Sequence, residues 1–256
     1  MSPIHFREMG KGHTLIFIHG FCETSEIWQG FAEKFSNDFR VITLDLPGFG
    51  HSPLPETPFT LKDIAQNVYQ TLQEQSTGRY SLVGHSLGGY VCLALARLYP
   101  EQCQSLVLFH STALGDTPEK KENRNKVIEF VLANGVSPFV QTFVPGLFHD
   151  KNHLAISRAY SIAHQTKPET LVSYTEAMRD RPSQVSFLES FGKPKLLIGG
   201  EFDPIIPPAA LTEIADLTRA ELQILPGTAH MGMYEAPAMS YQILSNFLFK
   251  AVTHHR

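Results

Sequence analysis

The chain has no long apolar run, no basic run and few cysteines, and each shortage argues against a class of function. Its uninterrupted apolar stretches are only a few residues long, far short of the ~20 residues a helix needs to cross a bilayer. The opening segment, MSPIHFREMGKGH, places charges and two glycines ahead of any apolar run, so it lacks a secretory h-region. Three cysteines, Cys22, Cys92 and Cys103, form an odd set without scaffold-like spacing, which suits a reducing compartment. With a net charge of −4 and no Lys/Arg cluster, the electrostatic footprint of a nucleic-acid binder is missing. The expectation is a cytoplasmic protein with neither a membrane nor a nucleic-acid partner.

What is present is core-forming. Apolar residues make up 43% of the 256 positions and charged residues 18%, a balance that folds compactly as one α/β domain or two small ones. Short β-branched runs at 14–18, 40–44, 81–83, 105–109, 195–198 and 221–225 read as strands. Most are continuously apolar, as strands buried on both faces of a parallel sheet are. Between them, 27–35, 61–73, 87–98, 207–216 and 236–249 carry helical patterns. In 87–98, Leu87, Val91, Ala94, Leu95 and Leu98 form one stripe, and Pro100 stops the helix. Alternation of this kind predicts right-handed crossovers and a doubly wound, mostly parallel sheet.

From Ser111 to Pro182 the alternation stops. Helical patterns alone occur there, at 117–134, 138–144, 152–164 and 168–179. The expected organisation is a core built from residues 1–110 and 183–256, with residues 111–182 as a helical cap inserted after the sixth core strand.

Gly84-His85-Ser86-Leu87-Gly88 fits G-x-S-x-G, with a strand running in and a helix running out. Such a turn lifts the serine hydroxyl to the C-terminal edge of the sheet and leaves the Leu87 N–H free to donate. A serine needs a base and an orienter to act as a nucleophile near neutral pH. Asp203 follows the next strand but one and His230 the strand after that, both on the same rim. The assigned roles are Ser86 as nucleophile, His230 as base and Asp203 as orienter, in the chain order Ser, Asp, His. Glu201 is a rival acid and Asp116 a weaker one. A second oxyanion donor is expected at the Phe21 N–H, after the strand-ending pair His19-Gly20.

HGF at 19–21, DLPGFGHS at 45–52, GHSLGG at 84–89, GEFD at 200–203 and GTAH…EAP from 227 to 237 together resemble the α/β-hydrolase superfamily. They occur in its order and span nearly all of the chain outside the cap. The likeness is to the small capped serine esterases, enol-lactonases and cofactor-free haloperoxidase-like members. Ser86 separates the chain from the dehalogenase and epoxide hydrolase branches, which have an aspartate there. The resemblance implies a small ester and water as partners and no cofactor.

Other signals carry less. Gly48-Phe49-Gly50 lacks the third glycine of a dinucleotide loop and is followed by Pro53, Pro55 and Pro58; it reads as a turn tied down by Asp45. His149 and His153 lack a third metal ligand, and no metal is expected. Cys22 reads as a small buried thiol, and His254-His255 as an exposed end. His110, at a strand end, and the cap aromatics Phe139, Phe143 and Phe148 are substrate-pocket candidates, with Pro145-Gly146 breaking the apolar group as a hinge.

Three activities compete. Ester hydrolysis through an acyl-enzyme is favoured. Carbon–carbon bond hydrolysis or a lyase reaction could use the same triad, with Arg124, Arg158, Arg179 or Arg181 receiving an acid group. A non-catalytic ligand-binding member of the fold is the third.

Overall fold

The computed structural model describes residues 3–56 and 58–253; His254-His255 lie outside them. Among the described residues seven strands form one sheet: β1 (Phe6–Met9), β2 (Thr14–Ile18), β3 (Arg40–Leu44), β4 (Tyr80–His85), β5 (Cys103–Phe109), β6 (Lys195–Gly200) and β7 (Glu221–Leu225). Their order is β1-β3-β2-β4-β5-β6-β7. Only β1 runs antiparallel to its neighbour. The helices are α1 (Leu61–Glu74), α2 (Leu87–Leu98), α3 (Pro118–Asn134), α4 (Val136–Gly146), α5 (Ala155–Ala163), α6 (Pro168–Arg179), α7 (Val185–Ser190), α8 (Pro208–Thr218), α9 (Gly232–Glu235) and α10 (Pro237–Thr253).

The continuous apolar strands are two-sided. Ile16, Ile18, Ile42, Leu44, Leu82, Leu106 and Leu108 pack with α1, α2 and α8 on one face of the sheet. Leu15, Phe17, Val41, Val83, Val107 and Phe109 pack with Trp28, Phe35 and α10 on the other. Strand side chains alternate in direction, so only an unbroken apolar run fills both layers. The second cluster continues into α3–α5 through Val131, Val140, Val144, Leu147, Phe148 and Ile162.

Three expectations need correction. The α3–α6 segment leaves the sheet after the fifth strand, because β1 alone precedes β2 among the described residues. The expected helix at 27–35 is two 3-10 turns, Ser25–Trp28 and Ala32–Phe35. They are separated at Gly30, whose φ of +78° lies outside the right-handed helical region. Pro145-Gly146 is not a break, since α4 runs through it to Gly146. Lys151 Nζ then takes the carbonyls of Pro145 and Phe148 at 3.1 and 2.5 Å and pins the helix end.

Candidate active site

The C-terminal edge of the sheet gathers Phe21 after β2, Ser86 after β4, His110 after β5, Asp203 after β6 and His230 after β7. Parallel strands all end on one rim, which is where open α/β sheets place ligands.

Ser86 takes φ +50° and ψ −115° between β4 and α2. This is backbone a non-glycine residue holds only at a cost of about 1–3 kcal/mol. The flanking glycines make the turn sterically possible. A side chain at Gly84 would run into the Gly88 backbone, and one at Gly88 into the carbonyls of Ile18 and His19. The Ser86 N–H donates to the Phe109 carbonyl (3.0 Å), and Ser111 Oγ donates to the Ser86 carbonyl (2.7 Å), so β5 braces the elbow. Ser86 itself is half-buried, and its Oγ has no hydrogen-bond partner among the described residues. The Phe21 and Leu87 N–H groups likewise have no acceptor there.

Asp203 is buried, and both of its oxygens are held. Oδ1 accepts from the Ile205 and Ile206 N–H groups, each at 2.9 Å. Oδ2 lies 2.8 Å from His230 Nδ1 and 3.1 Å from His110 Nδ1. Burial alone would raise the carboxyl, but the His230 charge and the two ring hydrogen bonds hold it well below the usual carboxylate range. The rival acids are engaged elsewhere. Glu201 is exposed and accepts the Gly227 N–H at 2.9 Å. Asp116 pairs with Arg124 at 2.6 Å and Arg181 at 2.8 Å.

His110 departs from its expected place. It is fully buried, with its ring against Asp203 rather than facing an open pocket. Burial drives its pKa down to about 4, against the pull of Asp203. One ligand atom each of His110, Asp203 and His230 lies within 4.8 Å of the others, a spacing that would suit a metal. Those atoms are already joined by hydrogen bonds, and an ion would have to displace both ring protons.

A second buried pair was not foreseen as part of the site. His85 Nδ1 lies 2.9 Å from Glu23 Oε2, and His85 Nε2 lies 2.9 Å from the His230 carbonyl. Both ring nitrogens face acceptors, so both carry protons. Burial disfavours the charged ring, yet Glu23 and the His230 carbonyl raise its pKa above the ordinary histidine value. Burial likewise opposes the Glu23 charge, and His85 outweighs it. Glu23 Oε2 also accepts the Gly20 N–H at 2.6 Å, orienting the peptide just ahead of Phe21. The signal in the sequence was Glu23 close behind the His-Gly pair and a histidine inside the elbow motif.

The aromatic candidates separate. Phe139 and Phe143 stack at 5.0 Å and meet the Phe21 ring edge-on at 6.4 and 6.1 Å. Phe148 is fully buried and lies against His153 and Tyr234. The four arginines considered for an acid group are all engaged. Arg124 and Arg181 pair with Asp116, Arg179 with Asp180, and Arg158 with the Glu26 carbonyl and Gln29. Cys22 is buried, and desolvation pushes its thiol far up. As expected, Asp45 ties down the 45–52 loop, accepting the Ser25 and His51 N–H groups at 2.7 and 3.0 Å.

A family model described as "alpha/beta hydrolase fold" matches residues 13–237. The chain is 31% identical over 259 residues to a pimeloyl-[acyl-carrier protein] methyl ester esterase of Nitrosomonas europaea, covering 94% of this chain and 96% of that protein. It superposes on a thermophilic esterase from Thermogutta terrifontis with TM-score 0.92 and 29% identity, over 98% of this chain and 94% of that one. It also shares the fold of the enol-lactonase from Burkholderia xenovorans, with TM-score 0.88 and 21% identity over 97% of each chain.

Proposed function

This chain belongs to the alpha/beta hydrolase fold family, and from that premise we propose that it is a serine esterase cleaving a small carboxylic ester through an acyl-enzyme. One observation carries the reading: the 2.8 Å His230–Asp203 contact lies on the same strand-end rim as a serine held at φ +50°. Asp203 fixes the proton of His230 on Nδ1, which leaves Nε2 bare as a base. Ser86 Oγ attacks the ester carbonyl as His230 takes its proton. The oxyanion receives the Phe21 and Leu87 N–H groups, whose lack of internal acceptors leaves them available. His230 then protonates the departing alcohol. Water, deprotonated by the same ring, releases the acid and restores Ser86. No step calls for a cofactor.

Residues 111–182 form the cap in this reading, and the Phe21, Phe139 and Phe143 rings make an apolar wall beside the oxyanion donors. An apolar acyl or alcohol group of small to medium size fits such a wall. The carbon–carbon alternative gains no support, because its candidate arginines are engaged within the chain. Two measurements test the proposal. A fluorophosphonate should add one label, at Ser86, by intact mass and peptide mapping. A nitrophenyl acyl ester should be turned over by the parent chain and not by Ser86→Ala. A label on another serine, or unchanged turnover in Ser86→Ala, overturns it.

A further inference from the structure

His230 is not the only ring on Asp203. His110 Nδ1 lies 3.1 Å from the same Oδ2 that accepts from His230 Nδ1. Both histidines and the acid are buried. A carboxylate can only accept, so each facing ring nitrogen carries a proton. His110 Nε2 is buried and has no partner among the described residues. That suits a neutral ring with its single proton on Nδ1, since an N–H at Nε2 would be left without an acceptor.

The chain bends its backbone to place this ring. His110 takes φ +48°, an unfavourable conformation for a non-glycine residue, as Ser86 does. Its own N–H donates to the Ile198 carbonyl at 2.7 Å, which locks the bend to β6, the strand that leads to Asp203. Opposite it, a side chain at Gly232 would run into His110 Nε2. The packing leaves room for the ring.

We propose that His110 is a positioning residue that donates a second hydrogen bond to Asp203 and thereby lowers the basicity of His230. The inference rests on the triad reading above. With Ile205 and Ile206 on Oδ1 and His110 on Oδ2, three donors besides His230 share the Asp203 charge. Each takes a share of the Asp203 charge that would otherwise attract a second proton to His230. The other ionisable groups facing His230 do not replace this effect. His85, 5.0 Å away between ring centroids, is a cation paired with Glu23. Glu235 holds the backbone N–H groups of Ala229 and Met231.

His110→Phe keeps an aromatic ring, slightly larger than imidazole, and removes the donor. The acidic limb of its kcat/KM profile should move up by about one pH unit, so that turnover at pH 6 falls roughly tenfold while turnover at pH 9 changes little. His110→Asn, which can return an N–H near the Nδ1 position, should restore the limb. Nitrogen-15 NMR of the parent chain gives a readout independent of activity: His110 should be protonated at Nδ1 and bare at Nε2. The His230 ring should titrate at higher pH in His110→Phe. An unmoved limb and an unmoved His230 titration, with only a lower Tm, would make His110 a packing residue and overturn the proposal. So would a proton on His110 Nε2 in the parent chain, even if neither variant folds. If the parent chain hydrolyses no ester, the esterase reading fails, and the two NMR measurements still decide the role of His110.

Discussion

Both oxygens of Asp203 face fixed donors, and this sets the difference expected between the two acids of its loop. Asp203→Asn substitutes an amide that cannot accept on both sides, which favours the wrong His230 tautomer. kcat should fall by about 10⁴ with the fold intact by circular dichroism. Glu201→Gln keeps an acceptor for the exposed Gly227 N–H and should stay within about twofold of the parent. The reverse ranking in steady-state kinetics would make Glu201 the acid. Glu23 and His85 act at the same scale but on the backbone. Their contact draws the Gly20 peptide, the elbow and the His230 carbonyl together around one compensated charge pair. Removing either partner alone would leave the other buried and unpaired, a costlier change than losing both.

At the scale of elements, α4 and the turn after it make two different uses of phenylalanine. Phe139 and Phe143 are one turn apart on α4 and present stacked rings to Phe21. Phe148 lies past the helix end, fully buried beside Tyr234. Phe139→Ala and Phe143→Ala should change ester chain-length preference without abolishing turnover. Each methylene contributes about 1 kcal/mol, so the profile should shift gradually. Phe148→Ala should keep the parental profile and lose about 3–5 kcal/mol of stability in denaturant titration. A shifted profile from Phe148→Ala, or unshifted profiles from the other two, would contradict this division. The α4 end is also joined to the His230 loop. The His230 N–H donates to the Leu147 carbonyl at 2.9 Å, and Glu235 accepts the His149 N–H at 2.6 Å along with those of Ala229 and Met231. Movement of the α3–α6 segment at this edge would therefore disturb the His230 loop.

For the whole molecule, buried histidines make stability fall with acid. Burial lowers His110 from 6.5 to about 4 in the folded chain. Its contribution is therefore complete above pH 6.5 and is lost as pH falls toward 4, because the unfolded chain takes up a proton that the folded one refuses. This is worth on the order of 3 kcal/mol. Buried His19 has the same sign, its pKa lowered first by desolvation. Asp203 and Glu23, both held below the ordinary carboxylate range, lose their contributions only at still lower pH. His85, raised by Glu23 against its own burial, opposes the trend by losing its contribution on the alkaline side. Urea midpoints measured from pH 7 to pH 4 should decline steadily, and more shallowly in His110→Phe. A flat parental curve would contradict the buried neutral state of His110.

The sequence by itself determined the sheet and the rim. The mostly apolar, β-branched runs at 14–18 and 40–44 matched their strands to the residue, because a strand covered on both faces is predominantly apolar. The strand-to-helix context of Gly84–Gly88 announced the elbow because Gly84 meets the backbone of the same motif, whereas the carbonyls that crowd Gly88 come from β2 and its end. The short β1 was missed, since its two middle residues are charged and exposed between half-buried Phe6 and Met9, and it gains its place only by pairing with β3. Where His110 would point was likewise undetermined. A histidine at a strand end faces substrate, solvent or acid according to one backbone angle and to what packs opposite. Here φ +48°, the glycine at 232 and an acid 93 positions away settle it. The Glu23–His85 contact spans 62 positions, and neither residue type reveals a partner at that separation. Local sequence sets strands and turns because their physics lies within a few residues. The sharing of buried charge depends on long-range distances, which only the folded chain fixes.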